Sequence, residues 1–333
     1  MIELAQDKVT EREDILFCLQ RWDQGDHWFA GSSDAAIHPI HSCGKPAEMK
    51  PLAIHQSYVT GVAVAKGKLW SVGYDRLLNE WDIESNRLLS SRKAHSKWIR
   101  NIQATRDGRL LSTVGDDMIT RIWETETGRL MHALKGHAPR TPQGFSSMLY
   151  TCTFSPDGSL LATADRIGEI ILWDTASGRI RHRMQAPVMY TWDQVQRLRS
   201  IGGIRSLEFS PDQSSLVVGG MGHVQNVDGL GGKARLEWFD TTTGKQTAFF
   251  ESDTHKGLIE DIRFLPDGSH LIAAGGNNKG FFIVLDLSSH KAVSDPESPM
   301  HVHRFNFIDD TYQILAVGHQ KTVTWTLTRK NST

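Results

Sequence analysis

An all-β fold made of repeated four-stranded antiparallel sheets is predicted by three features of this 333-residue sequence. First, a tryptophan or an aliphatic substitute closes similar short segments at Ile40, Trp81, Trp123, Trp173, Trp238, Leu285 and Trp325. Second, these positions are spaced by 41, 42, 50, 65, 47 and 40 residues, and a period near 41 with insertions is the mark of a repeat architecture. Third, each copy alternates apolar runs of four to seven residues with Asp-Gly or Ser-Gly turns, while long helical periodicity is missing.

The fourth copy shows the anatomy in order. LYTCTF (149–154) reads as a strand, SPDG (155–158) as a turn and SLLATA (159–164) as a second strand. IILWD (170–174) follows as a third strand, TASG (175–178) as a turn and RIRHRM (179–184) as the fourth. Such hairpins bury one face of each strand and pair along its length. The same frame fits LLNEWD, ITRIWE, LEWFD and TVTWT, with AAIHPIH (35–41) and FFIVLD (281–286) as weaker copies.

These residues resemble the WD40-repeat family of β-propellers. The likeness is carried by FSPDG (154–158), FSPDQ (209–213), FLPDG (264–268), the pair Gly136–His137 and the pairs Trp81–Asp82 and Trp173–Asp174. The resemblance implies a single domain over residues 1–333, a seven-bladed propeller of four-stranded antiparallel blades. Only TLTRKNST follows Trp325, enough to finish a third strand, whereas IELAQ (2–6) has strand length. The N-terminal strand is therefore expected to close the last blade, which removes an open sheet edge.

Composition narrows the function classes. There are 37 Lys and Arg against 38 Asp and Glu, so the formal net charge is -1 and a nucleic-acid partner, which calls for a basic excess, is disfavoured. Three cysteines, Cys18, Cys43 and Cys152, form no disulfide framework and suit a reducing compartment. The charged N-terminus and the lack of eighteen consecutive apolar residues give no signal peptide and no membrane span, so a cytoplasmic location is expected. Phosphate-binding, nucleophile-elbow and CxxC motifs are missing, and no cofactor is expected. The glycine-rich run 219–233 ends in Lys233 without a following Ser or Thr and reads as a flexible hairpin loop.

One pattern imitates catalysis. His55, Ser71, Asp75 and Trp81 recur as His95, Thr113, Asp117 and Trp123, and the next copy keeps His137, Thr163 and Trp173 with Asp165 two residues further from the Trp. A His, a hydroxyl and an acid could serve a nucleophile. The resemblance implies instead a structural hydrogen-bonded chain from loop to indole, since buried polar groups need partners. No catalytic residue is assigned. His38, His41 and Cys43 offer zinc-ligand types, but positions 38 and 41 have opposite strand parity. His301 and His303 share parity yet lack further ligands, so no metal is expected and both pairs read as surface histidines.

The insertions carry the functional signal. Residues 137–149 hold eight more than the third copy, the segment between Asp165 and Trp173 two more, and the fifth repeat 24 more, split between 187–203 and 221–238. All fall in loops that a four-stranded blade places on one face. They bring Phe145, Met148, Met189, Tyr190, Trp192 and Arg197, residue types enriched at interfaces. Residues 192–200 could form a short helix, and the inserted loops could instead fold back on each other. Aligned inner strands add a column at the channel mouth: Phe17, Thr60, Arg100, Tyr150, Arg205, Glu260 and His303. Its arginines suit a carboxylate.

The sequence is accordingly read as a non-enzymatic scaffold that binds a partner protein or peptide on the face bearing these insertions. A propeller enzyme or small-ligand or metal-binding protein working at the channel mouth is the first alternative. The second is an RNA-binding surface through Arg100, Arg197, Arg199 and Arg205.

Overall fold

The computed structural model describes residues 2–22, 26–42, 49–195, 197–308 and 312–329. Among them the regular elements are β-strands, apart from a short 3-10 turn at Pro187–Met189. No helix is long and apolar enough to cross a membrane.

The repeat frame folds as its alternation dictates. In the second copy, Val59–Ala65, Lys68–Gly73, Leu77–Asp82 and Arg87–Lys93 pair in sequence order as one antiparallel sheet. The third copy does the same with Ile99–Ala104, Leu110–Gly115, Ile119–Glu124 and Leu130–Lys135. Leu149–Phe154, Leu160–Asp165, Glu169–Asp174 and Ile180–Gln185 form the fourth, at the positions read from LYTCTF onward. The register repeats as well: Trp81 lies opposite Leu69, Trp123 opposite Leu111 and Trp173 opposite Leu161. Outer strands alternate between exposed and half-exposed residues, as Arg87–Lys93 shows. Its charged residues protect an edge that would otherwise pair with another chain.

Seven separate blades are expected, but the described residues form six sheets of four or five strands and one two-stranded ribbon. The reason is the strand Ile2–Arg21. Its first part pairs with Gln313–Arg329, from Ile2 opposite Arg329 to Glu11 opposite Lys321, and its last residues pair with His27–Ser32. The copies at the two chain ends thus share one continuous strand and one five-stranded sheet.

The chain divides into two compact units. The first comprises Met1–Ala133 and His303–Thr333, and its apolar core lies between successive sheets. One cluster joins Trp70, Val72, Leu78, Ile99 and Trp123, and another joins Phe29, Ile37, Val59, Leu69 and Trp81. The second unit, Leu134–Val302, packs Leu172, Met184, Met189, Leu207 and Phe239 in one cluster and Leu236, Trp238, Ile262, Phe281 and Ile283 in another. Trp28, Trp70, Trp81, Trp173 and Trp325 are fully buried. Each such side chain removes enough apolar area to favour folding by about 4–6 kcal/mol before conformational entropy is subtracted.

Candidate functional site

The His–hydroxyl–Asp sets are assembled and closed to substrate. His55 Nδ1 lies 2.7 Å from Asp75 and its Nε2 2.7 Å from the Ser71 hydroxyl, which accepts the Trp81 indole N–H at 2.9 Å. The third sheet repeats this with His95 to Asp117 at 2.9 Å, His95 to Thr113 at 2.8 Å and Trp123 to Thr113 at 3.0 Å. In the fourth, His137 meets Asp165 at 3.0 Å and Thr163 at 2.9 Å, and Trp173 donates to Thr163 at 2.9 Å. All three hydroxyls are buried, each beside an indole and an imidazole, so none is presented to a ligand.

The local charges differ between copies. Burial lowers the affinity of His95 for a proton, and the Arg121 guanidinium, 2.8 Å from its Nδ1, adds to that against the pull of Asp117. Burial acts the same way on His137, but there Asp165 and Glu169 outweigh it and raise the pKa. Glu169 reaches to 3.4 Å from His137 Nδ1 and also pairs with Arg183 at 2.6 Å. The displaced Asp165 therefore still serves its His, and Glu169 is a second acid that the repeat frame did not reveal.

The insertions of the second unit fold against one another. Residues 192–200 are not helical: Tyr190–Asp193 and Arg199–Gly202 form an antiparallel ribbon, with Trp192 opposite Ser200 and Asp193 opposite Arg199. The ribbon pairs residues six and eight apart, not the four-residue spacing that suggests a helix. Gln196, part of that helical reading, lies outside the described residues. Three contacts tie the ribbon to its neighbours. The Tyr190 hydroxyl donates to Gln143 at 2.8 Å, the Thr191 hydroxyl accepts the Val224 N–H at 3.1 Å, and Arg199 donates to the Val227 carbonyl at 2.9 Å.

The glycine-rich run is correspondingly no loose loop. Met221, Val224 and Val227 are buried in a small core with Leu258, against which Ile201 and Leu230 pack. Met189, an expected contact residue, is also buried, in the main core cluster. Two expected contact residues stay at the surface together: the Phe145 and Trp192 rings lie 5.2 Å apart, and Phe145 is 49% exposed. Met148 accepts a hydrogen bond from the Tyr150 hydroxyl at 3.2 Å.

The arginines expected to meet a carboxylate already have partners. Arg100 donates through Nε and Nη2 to Asp116, both at 2.8 Å, and through Nη1 to the Tyr74 hydroxyl. Arg197 and Arg199 pair with Asp228 at 2.7 and 2.8 Å. Arg205 stacks on Tyr150, its guanidinium carbon 3.5 Å from the ring centroid. A phosphate at Arg100, Arg197 or Arg199 would compete with Asp116 or Asp228, whereas ring stacking alone does not occupy the N–H donors of Arg205.

The histidines weighed and set aside as metal ligands have the following neighbours. His38 Nε2 lies 2.7 Å from Asp34, while His41 Nδ1 donates to the Asp26 carbonyl at 3.0 Å, and Cys43 is outside the described residues. His301 is buried rather than a surface residue and bonds the Asn277 carbonyl at 3.0 Å. It also lies 3.6 Å from Glu260, which raises its pKa against the opposing effect of burial. His303 belongs to the first unit, where its ring lies 5.4 Å from Phe17 and 5.0 Å from His319.

In the first unit the structure also gathers rings that the sequence reading passed over. Tyr58 stacks on Phe17 at 5.4 Å and lies 5.6 Å from Tyr74, which stacks flat on Trp98 at 4.3 Å. The available signal was positional: Tyr58 and Trp98 each sit two residues before a member of the mouth column, Thr60 and Arg100.

A family model described as "WD domain, G-beta repeat" matches residues 86–124 and 128–174. These stretches contain the complete third and fourth hydrogen-bonded sets. The match and the sheets together support a WD40-repeat β-propeller. A search of the curated proteins found no match.

This WD40-repeat protein is an all-β propeller whose blades are the four-stranded antiparallel sheets described above. In that frame the His–hydroxyl–Asp chains are repeated hydrogen-bonded sets running from loop to indole, and their regularity leaves the distinguishing chemistry to whatever departs from the repeat. In this WD40-repeat protein the departures are the interlocked insertions of the second unit and the aromatic surface of the first.

Proposed function

We propose that this WD40-repeat protein is a non-catalytic interaction scaffold that captures a protein or peptide partner on the platform built by its insertions. The observation that carries the reading is the Phe145–Trp192 pair. Two large rings from separate insertions lie side by side, with Phe145 half exposed, on loops already held by Tyr190–Gln143, Thr191–Val224 and Arg199–Val227. Loops fixed before binding lose little entropy on association, and aromatic anchors of this kind dominate interface energies. Burial of the three His–hydroxyl–Asp sets supports a scaffold over a hydrolase.

The pairing of Ile2–Glu11 with Lys321–Arg329 supports the N-terminal strand as the outer strand of the last blade. The buried thiols of Cys18 and Cys152 fit the expected cytoplasmic setting.

The test compares full-length wild type with a Phe145→Ser/Trp192→Ala variant as bait in quantitative affinity purification from native cells. A partner retained by wild type and lost by the variant, with circular dichroism and melting temperature unchanged, supports the platform. Equal recovery of every partner overturns it.

A further inference from the structure

The aromatic surface of the first unit is separate in sequence and composition from the insertions. Trp98 is 48% exposed and Tyr58 44% exposed, an unusual expense of apolar area for two large rings on a folded surface. They are also held still. Trp98 lies against Tyr74 with an interplanar angle of 6°, and the Arg100 guanidinium sits 5.0 Å from the Tyr74 centroid and 5.3 Å from that of Trp98. Asp116 fixes that guanidinium through two hydrogen bonds, so the ring pair is braced from behind. Beside it opens a surface cleft of about 440 Å³ lined by Tyr74, Arg76, Ser96, Lys97, Trp98 and Asp116.

We propose that this cleft binds a proline-rich segment flanked by acidic residues. Proline-rich chains adopt the polyproline II helix before binding, so they lose little entropy on docking, and their pyrrolidine rings pack on exposed indole and phenol faces. The spacing agrees. Ring centroids step 5.6 Å from Tyr58 to Tyr74 and 4.3 Å from Tyr74 to Trp98. The outer rings are thus within about one polyproline II turn, roughly 9 Å.

Charge selects the flanks. The carboxylate of Asp116 is taken up by Arg100, whereas among the described residues Arg76 and Lys97 make no ion pair and are exposed. The rim is therefore locally positive and complements acid. A single-stranded nucleic acid could also stack here, but following a phosphate backbone takes a continuous basic groove, and two cations on a neutral chain do not provide one.

The experiment uses the full chain and calorimetric titration with three probes: a peptide of two glutamates followed by a polyproline run, the same peptide with alanines for prolines, and single-stranded oligothymidylate. Expected is saturable binding of the first probe alone, weakened about tenfold or more by Trp98→Ala, with circular dichroism at the titration temperature checking that the variant is folded. The Arg76→Glu/Lys97→Glu variant should then prefer a peptide with two lysines before its prolines. Equal binding of the alanine peptide, no binding of the proline peptide, or indifference to Trp98→Ala overturns the proposal. Binding of oligothymidylate in place of the peptide replaces it with a nucleic-acid site. The Phe145→Ser/Trp192→Ala variant should bind the proline peptide like wild type, so this site and the insertion platform stand or fall independently.

Discussion

Thr163→Val is the sharpest test of the buried hydrogen-bonded chains. The substitution roughly keeps side-chain shape and removes the hydroxyl that accepts the Trp173 N–H at 2.9 Å and meets His137 Nε2 at 2.9 Å. Thr163 is fully buried, so no water replaces it. Each of the two orphaned buried groups costs about 1–3 kcal/mol, giving a loss of about 2–6 kcal/mol, at or beyond the upper end of the usual range for one substitution. Thr163→Ser keeps the hydroxyl and reproduces the Ser71 arrangement of the second sheet, so it should lose no more than about 1 kcal/mol for the missing methyl. Urea unfolding followed by tryptophan fluorescence measures both. In a double-mutant cycle with Trp173→Phe the two losses should be less than additive, because the pair shares one bond. A Thr163→Val protein within roughly 0.5 kcal/mol of wild type, or a Ser variant as unstable as the Val one, would refute the reasoning.

Two further outcomes follow from the same geometry. His137 has a raised folded pKa, so its contribution is fully present below the unfolded value near 6.5 and is lost as pH rises through the folded one. His95 has a lowered folded pKa, so stability falls as pH drops below about 6.5. Replacing each by Gln should therefore change the slope of stability against pH in opposite senses, and like-signed changes in denaturation midpoints between pH 5 and 8 would contradict the assignment. Gly202→Ala should loosen the ribbon: the backbone has φ +105°, and an added Cβ would fall 2.2 Å from the Met189 carbonyl oxygen. Strain of about 1–3 kcal/mol should speed amide exchange across 190–202, and unchanged protection would show that the ribbon is not pinned there.

Legibility in the sequence tracked the range of the interaction. The sets His55–Ser71–Asp75–Trp81 and His95–Thr113–Asp117–Trp123 were readable because paired strands of fixed length place each member at a repeating offset. Their register, with Trp81 opposite Leu69 and Trp123 opposite Leu111, is the direct expression of that offset. Glu169 was missed because it enters the His137 set from a strand position the other copies do not use for that purpose. The helix expected over 192–200 gave way to a ribbon pairing Asp193 with Arg199 and Trp192 with Ser200, held by contacts of Thr191 and Arg199 with Val224 and Val227 from elsewhere in the chain.

The double pairing of the N-terminal strand was beyond sequence for a related reason. Strand propensity identifies IELAQ as extended but cannot say that Ile2–Arg21 continues unbroken to serve two partners. The mouth column shows the same limit in charge: Arg100 and Arg205 were read as ligand groups, and Asp116 and Tyr150 claim them.

The sequence alone determined the repeat, its antiparallel strands and the identity of its buried polar chains, because those depend on alternation and turn chemistry within some forty residues. Only the tertiary structure decided which surface residues remain available. Phe145 meets Trp192, and Tyr58, Tyr74 and Trp98 meet one another, across loops whose approach is set by packing rather than by spacing. Local patterns fix a strand, but whether a side chain is left exposed depends on every element that could have covered it.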